Sequence, residues 1–421
     1  MRFYFVPLAA FCYVLLRTIL PARIHPLAKV LFALAAFLPA ARRFFQGWLL
    51  DGTVFPEAPA FVFVLLAILC ACLVFFFALS LVRDAGLLLA AMARRLGAAR
   101  EARAGDEAPA GARFDRPDTA CLREQGLFSG FRRLSGQLDI VLLFVSVFLA
   151  VVCVDRGCAV PAVNRIEVEL AGRHAALDGL KVVQLSDLHL SAMTREGWLE
   201  SVTDRVMEEK PDLIVLTGDL ADGPVSRRAE ELAGLSALKA PLGVFAVTGN
   251  HEYSRDWPAL RQAMPSGIRW LCNESVVLEG PGGRFALAGI PDSTAVRGGD
   301  PKPDPAKALA GVPRDMPAIL LSHRPKAARK AARLGAAVQL SGHTHGGQLI
   351  FAGPLVAGPN GGFVRGLYRV GGLALYVSSG CAQWAGFSAR FFVPTEIAVL
   401  PFRTRKASSP ETPETAAPPR P

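Results

Sequence analysis

Five of the seven histidines in this 421-residue chain fall between residues 189 and 345, each within two residues of an aspartate, an asparagine, a serine or another histidine. Mixed His, Asp and Asn donors suit borderline or hard divalent ions such as Mn, Fe or Zn. The pattern is typical of a metal-dependent hydrolase. The motifs are Asp187-Leu188-His189, Gly218-Asp219, Gly249-Asn250-His251-Glu252, His323 and Gly342-His343-Thr344-His345-Gly346-Gly347.

These motifs recur where predicted strands end. From residue 166 onward, short apolar strands alternate with amphipathic helices. Open α/β sheets gather their ligands in the loops that follow the carboxyl ends of strands, so we expect the motifs to converge. Strands are predicted at 166–170, 181–185, 212–216, 243–248, 284–290, 318–321, 337–340 and 373–378, and helices at 195–209 and 226–238.

In this order the motifs resemble the calcineurin-like metallophosphoesterase family, over about residues 160–400. The Gly-His-Thr-His-Gly-Gly-Gln stretch, with 366–368 and 376–378, is similar to a small bacterial branch that often carries an N-terminal membrane anchor or export signal. The resemblance implies an α/β fold, a four-layer αββα sandwich in which two mixed sheets pack face to face between helices. A transmembrane α-helical region would precede it.

The resemblance also implies two divalent metal ions. Asp219 would be shared, because the two oxygens of a carboxylate can bridge ions about 3.5–4 Å apart. A hydroxide formed from water between the ions would attack phosphorus in line. His251 would stabilise the transition state or protonate the leaving oxygen. The first ion would be held by Asp187, His189, Asp219 and His345, and the second by Asp219, Asn250, His323 and His343.

Taken singly, these residues have plainer interpretations: Asp187 as a helix cap, Asn250 as a turn residue and His323 as a core histidine. Their joint occurrence at strand ends favours the metal site. Ser186, Ser322, Thr344 and Glu252 are expected to support the ligands, and His25 and His174 to be structural. Seven aromatic residues between 351 and 392 either form an apolar rim over the metals or fill the core: Phe351, Phe363, Tyr368, Trp384, Phe387, Phe391 and Phe392.

The N-terminal third is predicted to be a membrane region. Residues 58–82 carry no charge over 25 residues, enough to cross a hydrocarbon core of ~30 Å. Residues 140–154 form a second uncharged run, and 3–16 and 30–41 are shorter. Arg17 and Lys29 could extend the short runs by snorkelling. We predict about four spans in residues 1–155, with an interfacial hairpin as the alternative for the first two.

The connection at 83–137 bears on orientation because it holds ten arginines. If this loop is cytoplasmic by the positive-inside rule, the domain at 156–402 lies outside the cytoplasm on a multi-pass protein of the cell (inner) membrane. The alternative is a solvated helical arm with little topological weight, because seven acidic residues interleave with the arginines. The tail at 403–421, rich in Pro, Thr and Ala, is predicted to be disordered.

Charge and cysteine content exclude little else. The net charge of +10 is spread over the chain, and no segment is basic enough for nucleic-acid binding. Cys272 and Cys381 are expected to be free thiols, although they could pair.

The sequence favours a membrane-anchored phosphoesterase that hydrolyses a phosphodiester or pyrophosphate, with a lipid-linked substrate as one option. One alternative is an enzyme similar to the UDP-2,3-diacylglucosamine pyrophosphohydrolases of lipid A synthesis. That substrate arises in the cytoplasm, so the predicted orientation argues against it. The other alternative is a non-catalytic, metal-stabilised membrane module. A transporter finds little support, because the short spans carry no buried pair of ionisable residues.

Overall fold

Four helices precede the α/β part of the chain: α1 (Phe5–Val14), α2 (Pro26–Leu49), α3 (Ala60–Asp106) and α4 (Thr119–Cys158). The computed structural model describes residues 5–49, 59–106, 119–254, 256–384 and 387–405. Contacts divide it into two units, one made of residues 1–49 and 65–152, the other of residues 50–64 and 153–421. The second unit therefore includes the last turns of α4.

Two stretches of these helices, Ala60–Ala98 and Gly136–Cys158, are long and apolar enough to cross a membrane, and Pro7–Ile19 and Pro26–Ala41 are shorter apolar helices. The number of spans stays a prediction. The connection expected as a loop at 83–137 is helical over 83–106 and 119–137. Ala, Leu and Arg dominate residues 85–105, and these are among the strongest helix formers, so α3 continues past its apolar part. Residues 107–118 lie outside the described residues.

The second unit contains two mixed sheets. The first sheet has the order β1-β13-β3-β4-β5-β6, with β2 paired to the end of β13. Its strands are β1 (Ala162–Arg165), β2 (Val168–Leu170), β3 (Lys181–Leu185), β4 (Leu213–Leu216), β5 (Val244–Ala246), β6 (Ile268–Trp270) and β13 (Glu396–Thr404). The second has the order β11-β12-β10-β9-β8-β7. Its strands are β7 (Glu274–Gly280), β8 (Gly283–Gly289), β9 (Ala318–Leu321), β10 (Val338–Ser341), β11 (Gly366–Val370) and β12 (Leu373–Val377).

Side chains alternate between the two faces of each strand, and this alternation builds the layers. Val182 of β3 and Val215 of β4 belong to a buried cluster that also holds Leu287 and Leu340 of the second sheet. Their neighbours on the opposite face, such as Leu185 of β3, pack under helices. The helices are α5 (Trp198–Glu208), α6 (Val225–Ala233) and α7 (Trp257–Ala263) on the first sheet, and α8 (Pro305–Ala308) and α9 (Ala328–Arg333) on the second.

The predicted αββα sandwich is therefore confirmed, and most strand predictions fall within one or two residues of the observed bounds. Five strands were missed: β1, β6, β7, β11 and β13. In β7 exposed and half-buried residues alternate, and Glu274 and Glu279 weaken its apolar signal. The tail predicted to begin at residue 403 was placed too early, because β13 continues to Thr404. Residues 406–421 lie outside the described residues.

Candidate metal centre

The predicted site motifs follow strands that are neighbours in their sheets. Strand β3 leads into Ser186-Asp187, and the next strand β4 leads into Gly218-Asp219. The amide of Asp187 donates to the carbonyl of Gly218 at 3.0 Å, and the amide of His189 donates to the carbonyl of Asp219 at 3.0 Å. The loops after β9 and β10 are joined in the same way by Gly342 N–H and the carbonyl of His323 at 2.9 Å. The strand ends thus hold the motifs together.

One group of ligand atoms is formed by Asp187, His189 and His345, all buried. The Nε2 atoms of the two histidines lie 3.1 Å apart. The Oδ1 atom of Asp187 is 3.3 Å from His345 Nε2 and 3.9 Å from His189 Nε2. A carboxylate of Asp219 is also near, with Oδ2 3.8 Å from His189 Nε2. These are the four residues predicted for the first ion.

A second group is formed by Asp219, His323 and His343. The Oδ2 atom of Asp219 lies 3.2 Å from His323 Nε2, and that nitrogen lies 3.2 Å from His343 Nδ1. Asn250 reaches the same place through Arg324, which donates to Asn250 Oδ1 at 3.1 Å and contacts His343 Nε2 at 2.8 Å. The residues predicted for the second ion are thus also close together, with Asp219 between the two groups.

The hydrogen bonds of two histidines fit a role in metal binding. The Nδ1 of His189 faces Asp222 Oδ2 at 3.0 Å, and the Nδ1 of His323 faces the carbonyl of Thr217 at 2.7 Å. Because a carboxylate and a carbonyl only accept, both Nδ1 atoms donate a proton. Each Nε2 atom is therefore the nitrogen that can bind a cation once it carries no proton, and both are directed at the ligand groups, as in metal-binding histidines whose other nitrogen is held by a partner.

The electrostatics of the other histidines agree with this. Burial, reinforced by Arg324 and His323, holds the pKa of His343 well below its usual value. Burial, with His189 and Arg390, does the same to the pKa of His345. Both imidazoles are therefore neutral, the form that binds cations. Burial alone would raise the pKa of Asp219, but the positive His323 and His251 outweigh it and keep this carboxylate ionised.

The backbone at the site is strained. Nine non-glycine residues of the described chain have positive φ, and five of them are predicted metal ligands: Asp187 (54°), His189 (43°), Asp219 (55°), His343 (71°) and His345 (50°). Left-handed backbone costs about 1–3 kcal/mol at such a residue and persists where the surroundings fix it. The surrounding hydrogen bonds therefore hold these side chains in position against a local preference.

Glu252, expected only to support the ligands, is buried and accepts three backbone hydrogen bonds. They come from the amides of Asp219 (2.9 Å), Leu220 (2.7 Å) and Gly249 (2.5 Å). This carboxylate joins the loop that carries Asp219 to the turn that carries Asn250. Ser186 donates to Asp187 Oδ2 at 2.6 Å and positions that carboxylate similarly.

Sequence reasoning missed Asp222. This buried residue accepts from the Nδ1 of His189 through one oxygen and from the Nδ1 of His251 through the other. The His251 side chain is thereby aimed at the ligand groups, with Nε2 3.9 Å from Asp219 Oδ2. Burial lowers the pKa of His251, but Asp219 and Asp222 outweigh it and raise this pKa to about 10. The signal was a second aspartate three residues after Asp219.

Arg324 and Asp292 were also missed. Arg324 follows His323 directly and forms an ion pair with the buried Asp292 at 2.6 Å. Its remaining nitrogens contact Asn250 and His343. The arginine is about one third exposed, so it presents a positive charge at the edge of the ligand group. Its position beside His323 in sequence was the one available signal.

The aromatic segment at 351–392 divides between the two alternatives. Phe363 is buried and packs with Tyr368 in the core, whereas Phe351 and Phe392 are exposed. Trp384 stands edge-on to His251 with 6.5 Å between ring centroids. Of the other residues considered, His174 is buried, His25 is exposed, and Cys272 and Cys381 are free, as expected.

The model of the calcineurin-like phosphoesterase family matches residues 180–347. An uncharacterized metallophosphoesterase of Campylobacter jejuni is 32% identical over 271 residues, which cover 64% of this chain and 70% of that protein. One from Bacillus subtilis is 33% identical, over 54% of this chain and 80% of the other. A transmembrane protein with metallophosphoesterase domain from Bos taurus is 34% identical, over 61% of each chain. The chain thus spans less than two thirds of the bovine protein.

Proposed function

This chain belongs to the calcineurin-like phosphoesterase family, whose members are hydrolases of phosphoric esters, and from that premise we propose a membrane-anchored enzyme with two divalent metal ions. It hydrolyses a phosphodiester or a pyrophosphate. The first ion is held by Asp187, His189, Asp219 and His345, and the second by Asp219, Asn250, His323 and His343.

One observation carries this proposal: two groups of ligand atoms share the carboxylate of Asp219. The Oδ2 atom of Asp219 is 3.8 Å from His189 Nε2 on one side and 3.2 Å from His323 Nε2 on the other. The carboxylate of Asp219, placed between the two groups, favours a pair of cations because its negative charge offsets their mutual repulsion. When bound, such a pair neutralises phosphoryl charge and makes a water acidic enough to attack near neutral pH.

The chain's own residues supply the remaining chemistry. Arg324 presents guanidinium N–H groups beside Asn250 and His343, where it can donate to a nonbridging phosphoryl oxygen. His251 holds a proton at Nε2 because Asp222 fixes its Nδ1 and raises its pKa. It can therefore donate that proton to the leaving oxygen. Trp384 stands edge-on to the same histidine.

Membrane anchoring is supported by the two long apolar helices and by relatives named as transmembrane proteins. We propose a multi-pass arrangement in the cell membrane with the catalytic unit outside the cytoplasm. Of the arginines at 83–137, Arg83 forms ion pairs with Asp84 and Asp139, so it adds little to the cytoplasmic positive charge. Arg95 is exposed and carries that charge. An alkaline phosphatase fusion at Asp155 tests the side, and an inactive fusion would reverse the orientation.

The activity is tested with the full chain in detergent, using bis(p-nitrophenyl) phosphate and Mn. We expect turnover in the parent chain and its loss in Asp219→Asn and in His343→Ala, with unchanged circular dichroism. Asp315→Asn and His25→Ala, at exposed positions outside the site, are the matched controls and keep full activity. Full activity in either site variant would overturn the ligand assignment.

A further inference from the structure

The last turns of α4 are fixed directly to the α/β part of the same unit. No flexible linker separates them, because β1 begins four residues after α4 ends. Four contacts join them: Arg390 N–H to Cys153 O at 3.0 Å, Gln383 Nε2 to Cys158 Sγ at 2.8 Å, Trp198 Nε1 to Ala159 O at 3.1 Å, and the ion pair Arg195–Asp155 at 2.7 Å.

Gly157 makes this approach possible. A Cβ atom at this position would lie 2.1 Å from Gln383 Oε1 and 3.5 Å from Arg390 Cγ. A side chain at this position would force the end of the Gln383 side chain to move, whereas the distance to Arg390 Cγ is an ordinary contact. The end of α4 is thus packed against Gln383 and Arg390, which follow β12, and the backbone bond from Arg390 to Cys153 fixes their position along the helix axis.

An exposed apolar surface includes Phe392, two residues after Arg390. We call Ile350, Phe351, Leu355 and Phe392 the apolar face. Phe392 is 72% exposed, Leu355 60% and Phe351 50%. They are held together by backbone pairing, since the amide of Ile350 donates to the carbonyl of Phe391 at 3.1 Å, and by ring contacts through Phe391. Phe392 also has a positive φ of 55°, an unfavourable backbone for an exposed aromatic residue.

The position of the apolar face follows from these bonds. Cys153 is the last but one residue of the uncharged run 140–154, and the charged Asp155 and Arg156 come next. The bond to Arg390 therefore lies where the helix leaves the apolar layer. Phe392 is two residues beyond Arg390. Because an extended chain spans at most 3.3–3.6 Å per residue, its backbone lies within about 7 Å of that bond.

We propose that the apolar face inserts into the surface of the lipid bilayer that α4 crosses. This inference rests on the membrane anchoring in the proposed function. The geometry favours the bilayer as the partner of the apolar face. The bond between Arg390 and Cys153 holds this face at the boundary between the apolar and charged parts of α4. Exposed aromatic and aliphatic side chains are stabilised at that boundary, where they reach the acyl region.

The apolar face is also coupled to the metal centre. Arg390 donates to the carbonyl of His345 at 2.8 Å and contacts His345 Nδ1 at 3.1 Å, and Gly347 packs on the backbone of Gly353 at the start of the helix that carries Leu355. One buried arginine thus connects the helix end, a metal ligand and the apolar face.

The test is photocrosslinking of the full chain in vesicles of phosphatidylcholine and phosphatidylglycerol. p-Benzoylphenylalanine replaces Phe392 in one protein, Phe148 of α4 in a second and Val277 of β7 in a third. Phe148 is 67% exposed within the apolar run, and Val277 is an exposed apolar residue of the edge strand β7. Hydrolysis of bis(p-nitrophenyl) phosphate is measured in each protein.

We expect lipid adducts from positions 392 and 148, at least tenfold above those from 277, with activity retained in all three. If position 148 gives lipid adducts but position 392 gives no more than position 277, the apolar face does not dock on the bilayer. The membrane anchor would remain supported in that case. The absence of adducts at 148 would overturn the anchoring, and with it this inference. A parent chain without hydrolysis would contradict the proposed activity separately.

Discussion

The carboxylate of Asp222 holds the imidazole of His251 through its Nδ1 atom, with Oδ1 of the aspartate as acceptor. Its other oxygen holds His189, so one buried aspartate orients a proposed proton donor and a proposed metal ligand. Asp222 itself is ionised because the two histidines outweigh its burial and keep its pKa low. The pair couples metal binding to proton transfer through a single side chain.

Asp222→Asn should lower kcat by about 10- to 100-fold, the range for partners that orient metal ligands. Removing this negative charge also lowers the pKa of His251, which Asp222 helps to raise to about 10. The alkaline fall in kcat should therefore begin at lower pH in the variant. A pH–rate profile measures both effects, with Asp315→Asn as the control; an unchanged alkaline limb would argue against the coupling.

His251→Ala should affect esters according to their leaving group. p-Nitrophenolate leaves without a proton, whereas an alkoxide needs one. Loss of a proton donor therefore slows hydrolysis more when the leaving group is an alkoxide. We expect a loss at least tenfold larger with dimethyl phosphate, whose leaving group is an alkoxide, than with bis(p-nitrophenyl) phosphate. Equal losses on both would restrict His251 to charge stabilisation. Phosphorus NMR follows the hydrolysis of dimethyl phosphate, and p-nitrophenolate absorbance follows that of the second substrate.

Arg324→Gln should weaken binding of phosphate. A charge-assisted hydrogen bond is worth about 1.5–3 kcal/mol, so the inhibition constant of inorganic phosphate should rise about 10- to 100-fold. Arg324→Lys keeps the charge but loses the planar pair of donors that also holds Asp292, and should recover part of the affinity. Arg314→Gln, at an exposed position, is the control. Unchanged phosphate inhibition in Arg324→Gln would remove this residue from the site.

Metal should stabilise the fold in a pH-dependent way. At 100 times its Kd an ion that binds only the folded state adds about 2.7 kcal/mol per site. Burial lowers the pKa of His323, but Asp219 outweighs it and raises the value to about 9. A cation competes with that proton, so the increase in Tm with Mn should shrink as the pH falls from 9 to 6. Thermal denaturation with Mn or chelator measures this; a Tm independent of Mn at every pH would contradict it.

The sequence predicted that the proposed metal ligands converge because each one follows a buried strand, and neighbouring parallel strands end at the same edge of a sheet. Strands β3 and β9 were predicted at their observed bounds for the same reason, as short apolar runs between turn residues. Strand β1 was not predicted, because its exposed residues carry little apolar signal and its pairing with β13 joins residues over 230 positions apart. Such pairing has no local signature.

Some of the residues that support the site could be anticipated from the sequence, and others could not. Asp222 and Arg324 lie one to three residues from a predicted ligand, so the sequence held a hint of them. Arg390 lies 45 residues from His345 and over 230 from Cys153, and nothing around it in the sequence points to either partner. Its role depends on tertiary packing, including the close approach allowed by Gly157. Distant partners of this kind follow only from the folded structure.

We propose that Asp219 joins two cation sites, and anomalous scattering from crystals of the full chain soaked in Mn would show both. We expect two peaks on either side of Asp219, one against Asp187, His189 and His345 and the other against Asn250, His323 and His343. A single peak, or none, at full Mn saturation would contradict it.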